Sequence, residues 1–148
     1  MARAVWIGST GPQGNDWNLG SNWSTGVVPQ PGDDVVIPSG TPLANLNGVT
    51  ANIGSVTVDN GGSADLTGQL TVTGDLTDNG GVGVDTSFLV EFGGSTLKLG
   101  GMLTVTNSGA GFTIGNRAQT SATKVIAGSV TNTGAINIAG NANGGGSG

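Results

Sequence analysis

"GSVTVDNGG" (54–62), "GDLTDNGGV" (74–82), "GMLTVTNSG" (101–109) and "GSVTNTGAI" (128–136) align on their first glycine. Gly54, Gly74, Gly101 and Gly128 lie 20, 27 and 27 residues apart. Two positions on stand Val56, Leu76, Leu103 and Val130. The next position is Thr57, Thr77, Thr104 or Thr131, a column without exception. Strand-like pieces precede three of the glycines: "QLTVT" (69–73), "TLKLG" (96–100) and "TKVIA" (123–127). Asn or Gly follows in each segment and ends the strand.

Alternating apolar and Thr or polar residues send one set inward and the other outward. A period of 20 to 27 residues holds two or three strands of about 5 residues with their turns. One such unit cannot bury its own apolar face. Units stacked about 4.8 Å apart can, and their apolar columns become one core. Gly and Asn at the corners are expected to supply the positive φ that a coiled backbone needs. No segment carries a sustained 3.6-residue apolar period with caps, so helices are not expected. The pattern predicts an all-β fold, a parallel β-helix (β-solenoid). The alternative is a β-sandwich, which also shows short strands at close spacing. The aligned glycines and the Thr column favour the solenoid.

Composition agrees with short strands and tight turns. Thirty of the 148 residues are Gly, well above the ordinary share of about 7%. Only 9% are charged, against about 25% in ordinary domains. The net charge is −5, and the four basic residues, Arg3, Lys98, Arg117 and Lys124, are scattered. No basic stripe could neutralise phosphates, which argues against nucleic acid. No apolar run approaches the roughly 20 residues of a spanning helix, so membrane insertion is not expected. Cys is absent, so neither disulfides nor thiol chemistry are available. "MARAVW" lacks the long apolar region of a signal peptide. The Gly/Ser-rich end, 142–148, reads as a flexible tail.

Residues 1–53 differ from the rest. They hold all three Trp and all five Pro and lack the Gly-x-(Val/Leu)-Thr pattern. The first unit of a repeat protein leaves unpaired backbone and an open core, which terminal units must cover. We therefore assign 1–53 as an N-terminal capping segment and 54–141 as solenoid units. Trp6, Trp17 and Trp23 would lie over the open core with their indole N–H groups near water. The run "DWNLGSNWSTGVVPQPGDDVVIP" (16–38) resembles the N-terminal pattern of exported bacterial β-strand-repeat proteins of the autotransporter and adhesin type. The matching residues are Trp6, Trp17, Asn18, Asn22, Trp23, Val28, Pro29, Gly32, Asp33, Val36 and Ile37. The resemblance implies a right-handed parallel β-helix and an extracellular role in adhesion or surface structure. It covers the opening segment specifically and the remainder only by composition and repeat style. Such proteins usually run for many more repeats and end in a membrane barrel or secretion signal, neither of which is seen here.

Little in the chain suggests catalysis. His is absent as well as Cys, which removes most metal sites and nucleophile–base pairs. No general base stands out beside a Ser or Thr, Lys98 and Lys124 read as strand-face residues, and no catalytic residue is assigned. Asp33–Asp34 follows Pro31–Gly32 and reads as a turn. Asp59, Asp75, Asp78 and Asp85 read as corner residues. "DLTDNGG" could offer oxygens to Ca²⁺, the one cofactor considered, but matches no EF-hand or nonapeptide pattern. Phe112 reads as core filler. In "FLVEF" (88–92), Phe88, Val90 and Phe92 share one face of an edge or partner-facing strand.

The expected function is therefore a non-enzymatic, secreted or cell-surface structural or adhesive β-solenoid. It would be either the capped first part of an adhesin or a fibre subunit that stacks on itself end to end or edge to edge. A second reading has Trp6, Trp17 and Trp23 gripping surface glycans. A third has ranks of Thr binding ice, drawn from the pairs Thr71/Thr73, Thr104/Thr106 and Thr131/Thr133, which do not obviously share one face.

Overall fold

A computed structural model describes residues 1–9, 11–86 and 93–140. The fold is all-β, 47% strand and 2% helix, and the helix is a single 3-10 turn at Gly20–Asn22. The strands in chain order begin with β1 (Arg3–Val5), β2 (Asp34–Ile37), β3 (Ala44–Ile53), β4 (Ser55–Val58), β5 (Ser63–Val72), β6 (Leu76–Asp78) and β7 (Gly81–Val84). They continue with β8 (Thr96–Leu99), β9 (Met102–Val105), β10 (Gly111–Ile114), β11 (Lys124–Ile126), β12 (Ser129–Asn132) and β13 (Ile136–Ile138).

Two sheets result. One has six strands in the order β1-β2-β4-β6-β9-β12. The other has seven, β11-β8-β5-β7-β10-β13 with β3 beside β5, and curls into a half-barrel. Every ladder between these strands is parallel. The curl is carried by β5. Its first half, Ser63–Leu66, pairs with β7, and its second half, Gln69–Val72, pairs with β8. The bend falls at Gly68, whose φ of 144° favours glycine. The β3–β5 register shifts between Asn47 and Val49 at the same level.

The aligned repeat positions are register partners. Val56 pairs with Leu76, Leu76 with Leu103 and Leu103 with Val130. Thr57, Thr77, Thr104 and Thr131 form the adjacent column on the outer face. The pieces "QLTVT", "TLKLG" and "TKVIA" also align, through Leu70, Leu97 and Val125. Inward columns such as Ala64–Val82–Phe112–Ile136 meet those of the six-stranded sheet in one hydrophobic cluster. Each fully buried Leu or Val there contributes about 1.5–3 kcal/mol.

The repeat glycines serve a purpose other than the expected one. None of Gly54, Gly74, Gly101 and Gly128 has a positive φ. They stack instead: Gly74 N–H donates to the Gly54 carbonyl at 2.8 Å, Gly101 to Gly74 at 2.9 Å and Gly128 to Gly101 at 3.0 Å. A Cβ on Gly54 would lie 2.5 Å from the Gly32 carbonyl oxygen. Close backbone approach is what requires glycine here. Positive φ falls elsewhere, at Gly61, Gly94 and Gly115 among others.

The parallel ladders also reach upstream of the 53/54 boundary. Strands β1, β2 and β3 all precede residue 54, and Asp34–Ile37 pairs directly with Ser55–Val58. The segment 1–53 therefore combines ladder strands with the irregular stretch around the three Trp. Residues 142–148 lie outside the described residues, as do Phe88, Val90 and Phe92 of "FLVEF".

Candidate functional site

The three indoles form a closed cluster. Trp23 stands between the other two, edge to face with Trp6 at 5.0 Å and with Trp17 at 4.5 Å between ring centroids. All three are at most 1% exposed. Trp6 donates its Nε1–H to the Pro42 carbonyl and Trp23 to the Trp17 carbonyl, each at 2.8 Å. Buried Asn22 ties the surrounding loop by donating to the carbonyls of Gln13 and Asp16. This corrects two expectations. The indole N–H groups do not face water, and Trp6, Trp17 and Trp23 offer no open ring face on which a sugar could stack.

Trp17 also lines an interior apolar void of about 20 Å³, together with Ile37, Leu46, Val56 and Leu76. That volume is close to one water and far below a small-molecule site. The interior is a packed core. A second cavity of about 320 Å³ is an open corner groove lined by Asn60, Asn79, Thr106, Asn107 and Ser108. Its polar groups largely satisfy one another: the Thr106 hydroxyl donates to Asn79 Oδ1 at 2.7 Å, and Asn107 Nδ2 donates to the Gly80 carbonyl.

The Thr column, Thr57, Thr77, Thr104 and Thr131, lies on the outside of the six-stranded sheet, continuing from Val36. Thr104/Thr106 and Thr131/Thr133 follow β9 and β12 on that sheet, whereas Thr71/Thr73 close β5 on the other. The three Thr-x-Thr pairs do not form one rank.

The acidic residues are held singly. The Asp33 carboxylate accepts from the Ala2 and Gln30 N–H groups at 2.7 and 2.9 Å, and these bonds hold its pKa below the usual value. Asp34 accepts from the Ser55 hydroxyl, and Asp75 from the Met102 N–H. Among the described residues no three acidic side chains gather as a metal site.

Two acidic residues depart from their reading as corners. Asp78 lies in an inward column, paired with Val58 on one side and Val105 on the other. It is fully buried, and Oδ1 accepts from Gly80 N–H at 3.1 Å. Burial pushes its pKa up to about 6. The signal was present in the alignment, where Asp78 stands between Val58 and Val105. Asp85, at φ 57°, is the only described non-glycine residue in the left-handed region. Its buried carboxylate accepts from Ser95 N–H, the Ser95 hydroxyl and the Thr123 hydroxyl at 3.0, 2.5 and 2.6 Å. No sequence periodicity marks this corner, because it joins residues 10 and 38 positions away.

The last strands differ from all others in exposure. Val130 continues the buried Val56–Leu76–Leu103 column yet is 55% exposed, Ile138 is 67% exposed and Ile126 49%. Strands β11, β12 and β13 each end a path of pairing on the same side. Compared with protein-family models, curated proteins and solved structures, the chain finds no match.

Proposed function

We propose that this chain is a parallel β-solenoid serving as a non-enzymatic structural or adhesive element outside the cell. It would act as the capped first part of a surface adhesin or as a self-stacking fibre subunit. The exclusively parallel, in-register ladders support the solenoid, since sandwiches are built of antiparallel sheets. The likeness of residues 6–37 to exported β-strand-repeat proteins supports the extracellular reading.

One observation carries the function. Among the described residues, the inward columns are buried beside Trp6, Trp17 and Trp23 and exposed at Val130 and Ile138. An open strand edge with exposed core residues is a template for another strand layer. Such an end suits a unit that stacks on more of its kind.

Light scattering with negative-stain microscopy across a concentration series tests this. Growth of linear particles with concentration is the expected outcome. A monomer at every concentration, with Val130 and Ile138 protected from solvent, would overturn it.

A further inference from the structure

Two of the chain's four basic residues meet on the outer face of the seven-stranded sheet. Strands β5, β8 and β11 pair in parallel, and their register sets two columns side by side. One is Gln69–Thr96–Lys124 and the other is Thr71–Lys98–Ile126. The alternate positions, Leu70 with Leu97 and Val72 with Leu99, are buried, so both columns face outward. Strand β3 extends them with neutral polar residues, Thr50 and Asn52. Lys98 and Lys124 stand on adjacent strands two positions apart, about 8 Å between Cα atoms from strand spacing and rise. Both are exposed, and among the described residues neither ammonium has an ion pair or a hydrogen bond. No acidic residue stands in either column. Arg3, by contrast, lies in register beside Asp34. In a chain of net charge −5 the two lysines therefore make a local cationic spot on neutral polar ground.

We infer that this face binds a polysaccharide that carries carboxylate groups. The inference rests on the adhesive reading above and names its ligand. Each ammonium is a compact charge on a flexible stem, which suits a carboxylate without a preformed fork. In register beside them stand hydroxyls, Thr96 next to Lys124 and Thr71 next to Lys98, which can donate to or accept from a sugar hydroxyl. Gln69 Nε2 donates to the Gly94 carbonyl at 3.2 Å, which orients the amide and keeps Oε1 for a donor. A flat sheet face takes an extended chain, whereas a small anion needs a concave site. Two cations without an aromatic side chain beside them are too few for a nucleic acid, which calls for more charge and for stacking platforms.

Titration of immobilised polygalacturonate with the folded chain at low salt tests this, with dextran of similar length as the neutral comparison. The expected result is binding to polygalacturonate alone, weakening as salt screens the contacts. Lys98→Gln combined with Lys124→Gln should lower the affinity about tenfold, whereas Lys98→Arg with Lys124→Arg should retain it. Arg3→Gln removes a charge from the other sheet and should leave binding unchanged. Absence of binding by the wild-type chain, or an equal loss from Arg3→Gln, would overturn the proposal. Equal binding to polyglutamate, which carries the carboxylates without the sugar, would overturn it as well. Linear particles from a chain that does not bind would remove this site and keep the stacking reading. Binding by a chain that stays monomeric would do the reverse.

Discussion

Trp23 donates its indole N–H to the backbone carbonyl of Trp17 at 2.8 Å while the two rings meet edge to face. One side chain thus fills the cluster and also satisfies the backbone of the loop that carries its neighbour. Trp23→Ala removes both, leaving a large cavity and an unpartnered carbonyl. Its expected cost is about 3–5 kcal/mol. Urea unfolding followed by circular dichroism measures it, and an unchanged midpoint would show that the cluster does not hold the end of the core.

The glycine stack makes a sharper prediction, because the clash is with backbone. Gly54→Ala would set a methyl 2.5 Å from the Gly32 carbonyl oxygen and 3.1 Å from that of Asp33. The Asp33 carbonyl accepts the Gly54 N–H at 2.8 Å and cannot move away without giving up that bond, so a loss of about 1–3 kcal/mol is expected. Gly11→Ala is the control, since its nearest contact would be the Ser9 hydroxyl at 3.8 Å. Equal midpoints for the two variants in thermal unfolding would remove close approach as the reason for the glycine column.

How far the fold was legible follows from which features repeat. The Thr57–Thr77–Thr104–Thr131 alignment coincides with ladder register, because a period-2 strand carries its facing pattern in the sequence itself. The glycine positions could be read but their cause could not, since positive φ and close approach both select glycine. The burial of Trp6 was hidden for another reason. It depends on Pro42 and Val36 arriving from later in the chain to accept its two N–H groups. The Asp85 corner left no trace because its partners, Ser95, Asn116 and Thr123, come from two loops without periodicity.

Stacking at the open end should fail when that end is charged. Val130→Asp and Ile138→Asp alter side chains already more than half exposed, so each should cost the monomer little, within about 0.5 kcal/mol. In an assembly each would bury an unpaired carboxylate, a cost of several kcal/mol. Linear particles should therefore vanish while circular dichroism stays the same. Fibres of undiminished length from the double variant would place the contact elsewhere on the molecule.

Asp78 gives the chain a pH dependence opposite to that of a typical surface acid. Its pKa rises from 3.8 unfolded to about 6 folded, mainly through burial between Val58 and Val105. Below 3.8 the carboxyl is protonated in both states and costs nothing extra. Between 3.8 and 6 the unfolded chain has released the proton while the folded chain retains it. Stability therefore falls as pH rises through this window, by on the order of 3 kcal/mol, and levels off above it. Asp33, whose pKa is lowered by the Ala2 and Gln30 N–H groups, acts in the other direction at more acidic pH. The difference between wild type and Asp78→Asn isolates the Asp78 term, because the amide keeps an acceptor for Gly80 N–H and cannot ionise. Urea midpoints from pH 4 to pH 7 should converge on a flatter profile in the variant. A wild-type profile with the same slope as the variant would mean that Asp78 reaches water, and that the inward column opens at this level.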